Sequence, residues 1–181
     1  MIIRRPGRTL VLGGARSGKS HHAEQLLARA RTVDYVACGA APGEEDPEWA
    51  QRVELHRSRR PASWTTVETL DLDGVLSRKG SPVLVDCLTT WLAGVMDECG
   101  VWTEAPGADA DLAARVDAVV DAWARTRRRV VGVSNEVGSG IVPDTPSGRR
   151  FRDELGVLNA RIAAVSDRVV LVTAGLPQRL R

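Results

Sequence analysis

Gly13-Gly14-Ala15-Arg16-Ser17-Gly18-Lys19-Ser20 decides how the rest of the chain is read. It fits G-x-x-x-x-G-K-[ST], a pattern whose glycines let the main chain curl until successive N–H groups face phosphate oxygens. An apolar run, Thr9–Leu12, precedes it, and Ala23, Leu26, Leu27 and Ala30 fall on one helical face after it. Strand, glycine loop and helix N-terminus together make an anion site. There Lys19 is expected to bridge the β- and γ-phosphates of GTP or ATP, and the Ser20 hydroxyl to ligate Mg2+. The alternative is a chance glycine turn before a helix, and the flanking strand and helix argue against it.

Outward from this loop, four more β-branched runs follow: Thr32–Ala37, Pro82–Cys87, Arg129–Ser134 and Arg168–Ala174. Their unbroken apolar character fits strands buried on both faces, as in a parallel sheet. Helical stripes separate most of them. Leu112, Val116, Val119 and Trp123 form one, from near Asp109; Phe151, Leu155, Leu158, Ile162 and Val165 form another. Strands alternating with helices predict a doubly wound α/β sheet with ligands at the carboxyl ends of the strands. Gly100–Asp109 reads as a surface loop. No linker, repeat or low-complexity stretch divides residues 1–181, which are expected to form one domain.

A phosphate loop needs an acid on a neighbouring strand. Asp86, ending Val83-Leu84-Val85, is the candidate metal-side carboxylate; the competing role is a cap for a helix beginning near Leu88. Asn135-Glu136-Val137-Gly138-Ser139-Gly140-Ile141-Val142-Pro143-Asp144 lacks periodicity and reads as a functional loop whose individual roles stay open. Between the second strand and Asp86 stands His56, followed by Arg57, Ser58, Arg59 and Arg60. On its own His56 reads as a residue on the helical face it shares with Trp49 and Val53. The arginines add a second reading, forked donors for a triphosphate that keep the imidazole neutral and nucleophilic. His21 and His22 read as helix-surface residues.

The composition narrows the class. Of 181 residues 43% are hydrophobic and 27% charged, with a net charge of +2, which gives no reason to expect nucleic acid or a membrane surface as partner. Lys19 and Lys79 are the only lysines, so the phosphate-loop ammonium stands apart from an otherwise arginine-based positive charge. Cys38, Cys87 and Cys99 lack metal-ligand spacing and read as reduced thiols, which suits the cytoplasm. No apolar run reaches the length of a membrane span, and MIIRRPGRTL lacks the apolar stretch of a signal peptide.

With these residues in view, the chain resembles the bifunctional adenosylcobinamide kinase/adenosylcobinamide-phosphate guanylyltransferase family of cobalamin biosynthesis. The resemblance rests on the phosphate loop with His22-Ala23-Glu24, on Tyr35-Val36-Ala37, and on His56-x-x-x-Arg60-Pro61 with Trp64 and Glu68. It continues through Val85-Asp86-Cys87-Leu88-Thr89-Thr90, Asn135-Glu136-Val137-Gly138-x-Gly140-Ile141-Val142-Pro143, Phe151-Arg152-Asp153 and Gly175-Leu176-Pro177, and so spans nearly the whole chain. The resemblance implies a RecA-like P-loop fold, homo-oligomers including trimers, and two reactions. A nucleoside triphosphate phosphorylates the hydroxyl of adenosylcobinamide; GTP then gives GMP to that phosphate through a GMP–histidine, which maps onto His56. Nucleotide contacts map onto the phosphate loop, Ala37, Cys38, Gly39, Arg57 to Arg60, Glu68 and Asp86. Two positions depart from the expected pattern: Cys38 replaces a threonine-like residue, and Asp86 stands where glutamate is also familiar. The rival readings are a kinase acting on another small hydroxyl compound and a nucleotide-regulated binding module.

Overall fold

A computed structural model describes residues 7–39 and 60–181. Seven strands form one sheet: β1 (Arg8–Gly13), β2 (Asp34–Ala37), β3 (Thr65–Glu68), β4 (Val83–Asp86), β5 (Val130–Asn135), β6 (Arg168–Thr173) and β7 (Leu176–Arg179), in the spatial order β3-β2-β4-β5-β1-β6-β7. All neighbours run parallel except β6 and β7. Among the described residues the α-helices are α1 (Lys19–Leu27), α2 (Leu72–Ser77), α3 (Leu88–Glu98), α4 (Ala108–Arg125) and α5 (Pro146–Ala164).

Strand alternation sorts the core into two layers. Leu10, Val36, Val83, Val85, Val130 and Val169 point to one face, where they meet α2, α3, α4 and α5. Val11, Tyr35, Leu84, Val131, Val133, Val170 and Val172 point to the other and meet Ala23 and Leu27 of α1. The sheet is therefore covered on both sides, which is why its central strands read as continuous apolar runs. Close packing sets particular residues. A Cβ on Gly132 would sit 2.6 Å from the ring of Trp123, so only glycine lets α4 approach β5 this closely. The fully buried Trp123 keeps its polar end satisfied by donating to Ser166 Oγ at 3.0 Å.

All five expected strands are present, with no end displaced by more than two residues. Two strands and one helix are additions. β3 is a largely exposed edge strand, and β7 is exposed along its length, so neither carries the apolar signal of a buried strand. β7 returns beside β6 through Ala174 and Gly175, both at positive φ (51° and 81°), as a tight two-residue hairpin turn requires. α2 has six residues, too few for a periodic stripe. The expected loop Gly100–Asp109 is partly structured: a 3-10 turn covers Val101–Thr103 and α4 starts at Ala108. No described helix is long and apolar enough to cross a membrane.

Candidate active site

The glycine loop leaves the carboxyl end of β1 and delivers the chain into α1, whose N-cap is Gly18 at φ 90°. Arg16 also adopts positive φ, 55°, so two left-handed residues curl the loop. Gly13 is glycine for want of space: a Cβ there would lie 2.4 Å from Ser17 Oγ and 2.6 Å from the Val172 carbonyl oxygen. The β6–β7 turn braces the loop from outside, Gly175 N–H donating to the Ser17 carbonyl at 2.9 Å. Lys19 Nζ folds back on the Gly14 carbonyl at 3.1 Å. Burial pushes its ammonium below the ordinary lysine pKa, and the nearby Asp86 carboxylate opposes that shift. A partly desolvated cation over inward-facing amides is suited to a polyphosphate, which restores its favourable surroundings.

Asp86 ends β4, one strand beyond β5 from the loop. Ser20 Oγ donates to its Oδ1 at 3.4 Å and Tyr35 OH to its Oδ2 at 2.7 Å. Hydroxyl and carboxylate thus meet where a P-loop cation would be held, and Tyr35 fixes the carboxylate from the far side. The capping alternative for Asp86 does not hold: α3 is capped by Cys87, whose N–H donates to Thr90 Oγ1 at 3.4 Å. Burial, then the charge of Asp86, raises the Tyr35 pKa far above its ordinary value, so its hydroxyl remains a donor. The same two causes raise the Cys87 thiol and keep it uncharged.

The remaining sequence candidates among the described residues gather along one edge. Ala37 pairs in register with both Glu68 of β3 and Asp86 of β4, so Ala37, Cys38, Gly39, Glu68 and Asp86 share the carboxyl ends of three adjacent strands. The Cys38 side chain is only 3% exposed and packs in the core, which leaves its main chain as what it presents at that edge. Arg60 lies over the Tyr35 ring, 3.7 Å from its centroid, and donates to Thr66 Oγ1 at 3.1 Å. His56, Arg57, Ser58 and Arg59, with the helical face shared by Trp49, Val53 and His56, lie outside the described residues.

Sequence reasoning did not show what three supports do. Tyr35, the sole tyrosine, entered it only as part of Tyr35-Val36-Ala37; the pairing of β2 with β4 is what puts it on the face of Asp86. Thr89 Oγ1 accepts from Asn135 N–H at 2.8 Å, and the buried Asn159 donates to the Asn135 carbonyl at 3.0 Å. The loop beyond is strapped down. The Glu136 carboxylate accepts from Gly138 and Ser139 N–H, at 2.7 and 3.2 Å, and Arg149 donates to the carbonyls of Pro143 and Asp144.

Comparison with known proteins gives the family and the fold. The family model described as cobinamide kinase / cobinamide phosphate guanyltransferase matches residues 9–180. The bifunctional adenosylcobalamin biosynthesis protein CobU of Escherichia coli is 36% identical over 95% of this chain and 98% of its own length. CobU of Salmonella typhimurium is 38% identical over 95% and 98%. The corresponding CobP of Pseudomonas aeruginosa is 38% identical over 96% and 97%. Among solved structures, a type III secretion system ATPase superposes with a TM-score of 0.58 at 12% identity, covering 96% of this chain and 57% of that one. A Pyrococcus horikoshii protein gives 0.50 at 12% identity, covering 98% and 87%. The fold is a RecA-like P-loop α/β fold with a mostly parallel sheet.

Proposed function

The chain belongs to the cobinamide kinase / cobinamide phosphate guanyltransferase family, and from that premise we infer how its residues divide the work of a bifunctional cobalamin-biosynthesis enzyme. One domain, residues 1–181, carries both half-reactions. In the kinase step the hydroxyl oxygen of adenosylcobinamide attacks the γ-phosphorus of ATP or GTP. The bridging bond to the β-phosphate breaks and the nucleoside diphosphate leaves. In the second step an imidazole nitrogen of His56 attacks the α-phosphorus of GTP and expels pyrophosphate. An oxygen of adenosylcobinamide phosphate then displaces the imidazole, giving adenosylcobinamide-GDP.

The observation that carries this reading is the meeting of the Ser20 hydroxyl with the Asp86 carboxylate at 3.4 Å, beside Lys19 and the curled loop. Lys19 and the main-chain amides of Gly13, Gly14, Ala15, Arg16, Ser17 and Gly18 neutralise the triphosphate, so catalysis is mostly positioning and charge stabilisation. Ser20 and Asp86 would hold Mg2+, which when bound neutralises charge on the phosphates. Two protein ligands suit this ion, because Mg2+ keeps waters and phosphate oxygens in its remaining positions. Among the described residues no group of three or more His, Cys, Asp and Glu side chains gathers to hold an ion without the nucleotide. Ala37, Cys38, Gly39, Arg57, Ser58, Arg59, Arg60 and Glu68 line the nucleoside side, where Arg60 stacked on Tyr35 supports the assignment.

Purified protein given adenosylcobinamide, ATP and GTP is expected to form the phosphate and then the GDP derivative. Lys19→Ala is expected to impair both steps, whereas His56→Ala abolishes GMP transfer and spares phosphorylation at least in part. Equal loss of both activities in His56→Ala, with the fold intact, contradicts this division. We further place the enzyme in the cytoplasm as a homo-oligomer, a trimer being the state expected from its resemblance. The three free cysteines support the compartment.

A further inference from the structure

We propose that the Asn135 carboxamide is a catalytic residue of the kinase step, donating an N–H to an oxygen of the γ-phosphoryl group in flight. The proposal rests on the two-step reading above. β5 is inserted between the strand that launches the phosphate loop and the strand that ends at Asp86. Register fixes the height of its last residue: Gly13 pairs with Asn135, and Asp86 pairs with Val133. Asn135 therefore stands two residues beyond the level of Asp86, about 7 Å further toward the crevice at the carboxyl ends of the strands.

Alternation fixes its face. Val131 and Val133 pack on the α1 side, whereas Val130 packs on the opposite side and Gly132 faces Trp123 there. Asn135 continues the first set and shares the face of Asp86, Ser20 and the underside of the loop. Ser20 and Asp86 mark where the β- and γ-phosphates are clamped, so the amide at the end of the intervening strand is placed for the terminal phosphoryl group.

The surroundings hold that amide in place without using it. Thr89 takes the main-chain N–H of Asn135 and Asn159 takes its carbonyl. Asn159 is only 5% exposed and its own Oδ1 is buried without a hydrogen-bond partner among the described residues, a cost accepted where a strand end must be fixed. The neighbouring Glu136 is occupied in capping Gly138 and Ser139, and its N–H bonds the Gly13 carbonyl. The Asn135 side chain makes no hydrogen bond to any described residue.

In phosphoryl transfer the acceptor oxygen–phosphorus bond forms as the bridging bond breaks. The electron pair leaves on the diphosphate and the hydroxyl proton passes to solvent. Charge shifts on the γ-oxygens, where a preplaced donor is most effective. In GMP transfer the reacting atom is the α-phosphorus, and the γ-phosphate leaves unchanged within pyrophosphate.

The test separates the half-reactions in Asn135→Ala and in the near-isosteric Asn135→Asp. With adenosylcobinamide and ATP, kcat is expected to fall about 100-fold or more with KM for ATP within about threefold. GMP transfer to supplied adenosylcobinamide phosphate is expected to stay within about tenfold of wild type. Loss of both activities in parallel in the two variants, at unchanged thermal stability, overturns the proposal, as does kinase activity within threefold of wild type. A wild-type protein that forms neither product removes the two-step reading itself, a result visible before any variant is made.

Discussion

Replacing Gly13 by alanine puts a methyl group into space already taken from two sides. The added carbon would lie 2.4 Å from Ser17 Oγ and 2.6 Å from the Val172 carbonyl oxygen. Rotation of Ser17 relieves the first contact. The second is main chain of β6, which pairs with β1 through Thr9, Leu10, Val11 and Leu12, so relief requires the end of β1 or the loop to move. Overpacking of this kind costs about 2 kcal/mol, which for a chain of this size lowers Tm by roughly 4–8 °C. Displacement of the loop amides also weakens triphosphate binding. Gly14→Ala is the internal control: it adjoins the same strand, yet nothing lies within 4 Å of its added carbon. Its folding stability is expected to stay within about 0.5 kcal/mol of wild type. Thermal and guanidinium unfolding of both variants, with calorimetric titration of GTP into Gly13→Ala, provide the assay. Equal stability of the two variants refutes the reasoning, because it means the packing around residue 13 does not shape the loop.

Three further outcomes follow from the same geometry. Tyr35→Phe removes the donor to Asp86 Oδ2 and is expected to raise the Mg2+ concentration needed for nucleotide binding about tenfold, leaving metal-free binding unchanged; an identical Mg2+ titration contradicts the positioning role. Lys19 titrates below the ordinary lysine range in the free protein, and a bound polyphosphate raises its pKa. The Lys19 share of the affinity for inorganic triphosphate, read as the difference between wild type and Lys19→Arg at each pH, is therefore flat below the free-protein pKa and falls as pH rises above it, starting lower than for an ordinary lysine. Arg128, 6% exposed, donates to the Asp34 carboxylate and to the carbonyls of Ser81 and Val75. Arg128→Met is expected to cost about 3–5 kcal/mol in denaturant unfolding, because three acceptors lose their donor; a loss below 1 kcal/mol contradicts that account.

The parts legible in the sequence were those that one residue type, or one period, must supply. The phosphate loop was readable because only glycine fits at residue 13 and residue 18 sits at positive φ. The central strands were readable because burial on both faces selects runs of mostly apolar residues. β3 and β7 were hidden because edge strands need no such run, and α2 because it is shorter than two turns. Asp86 was found as a strand-end acid, but the hold of Tyr35 on it was not, since that contact exists only once β2 and β4 are in register. The same is true of Thr89 and Asn159, which act on the main chain of a residue far away in sequence. The role of His56 was read from a family resemblance, and its position lies outside the described residues.

The central claim is that nucleotide held by the glycine loop is attacked by a histidine at its α-phosphate in one reaction and by a substrate hydroxyl at its γ-phosphate in the other. Incubating the protein with GTP labelled at the α-phosphate tests it most directly. The account predicts an acid-labile, alkali-stable label on the polypeptide, absent from His56→Ala and from protein incubated with γ-labelled GTP, and discharged by adenosylcobinamide phosphate. Label that persists in His56→Ala, or none at all from an enzyme that still forms the GDP product, would contradict it.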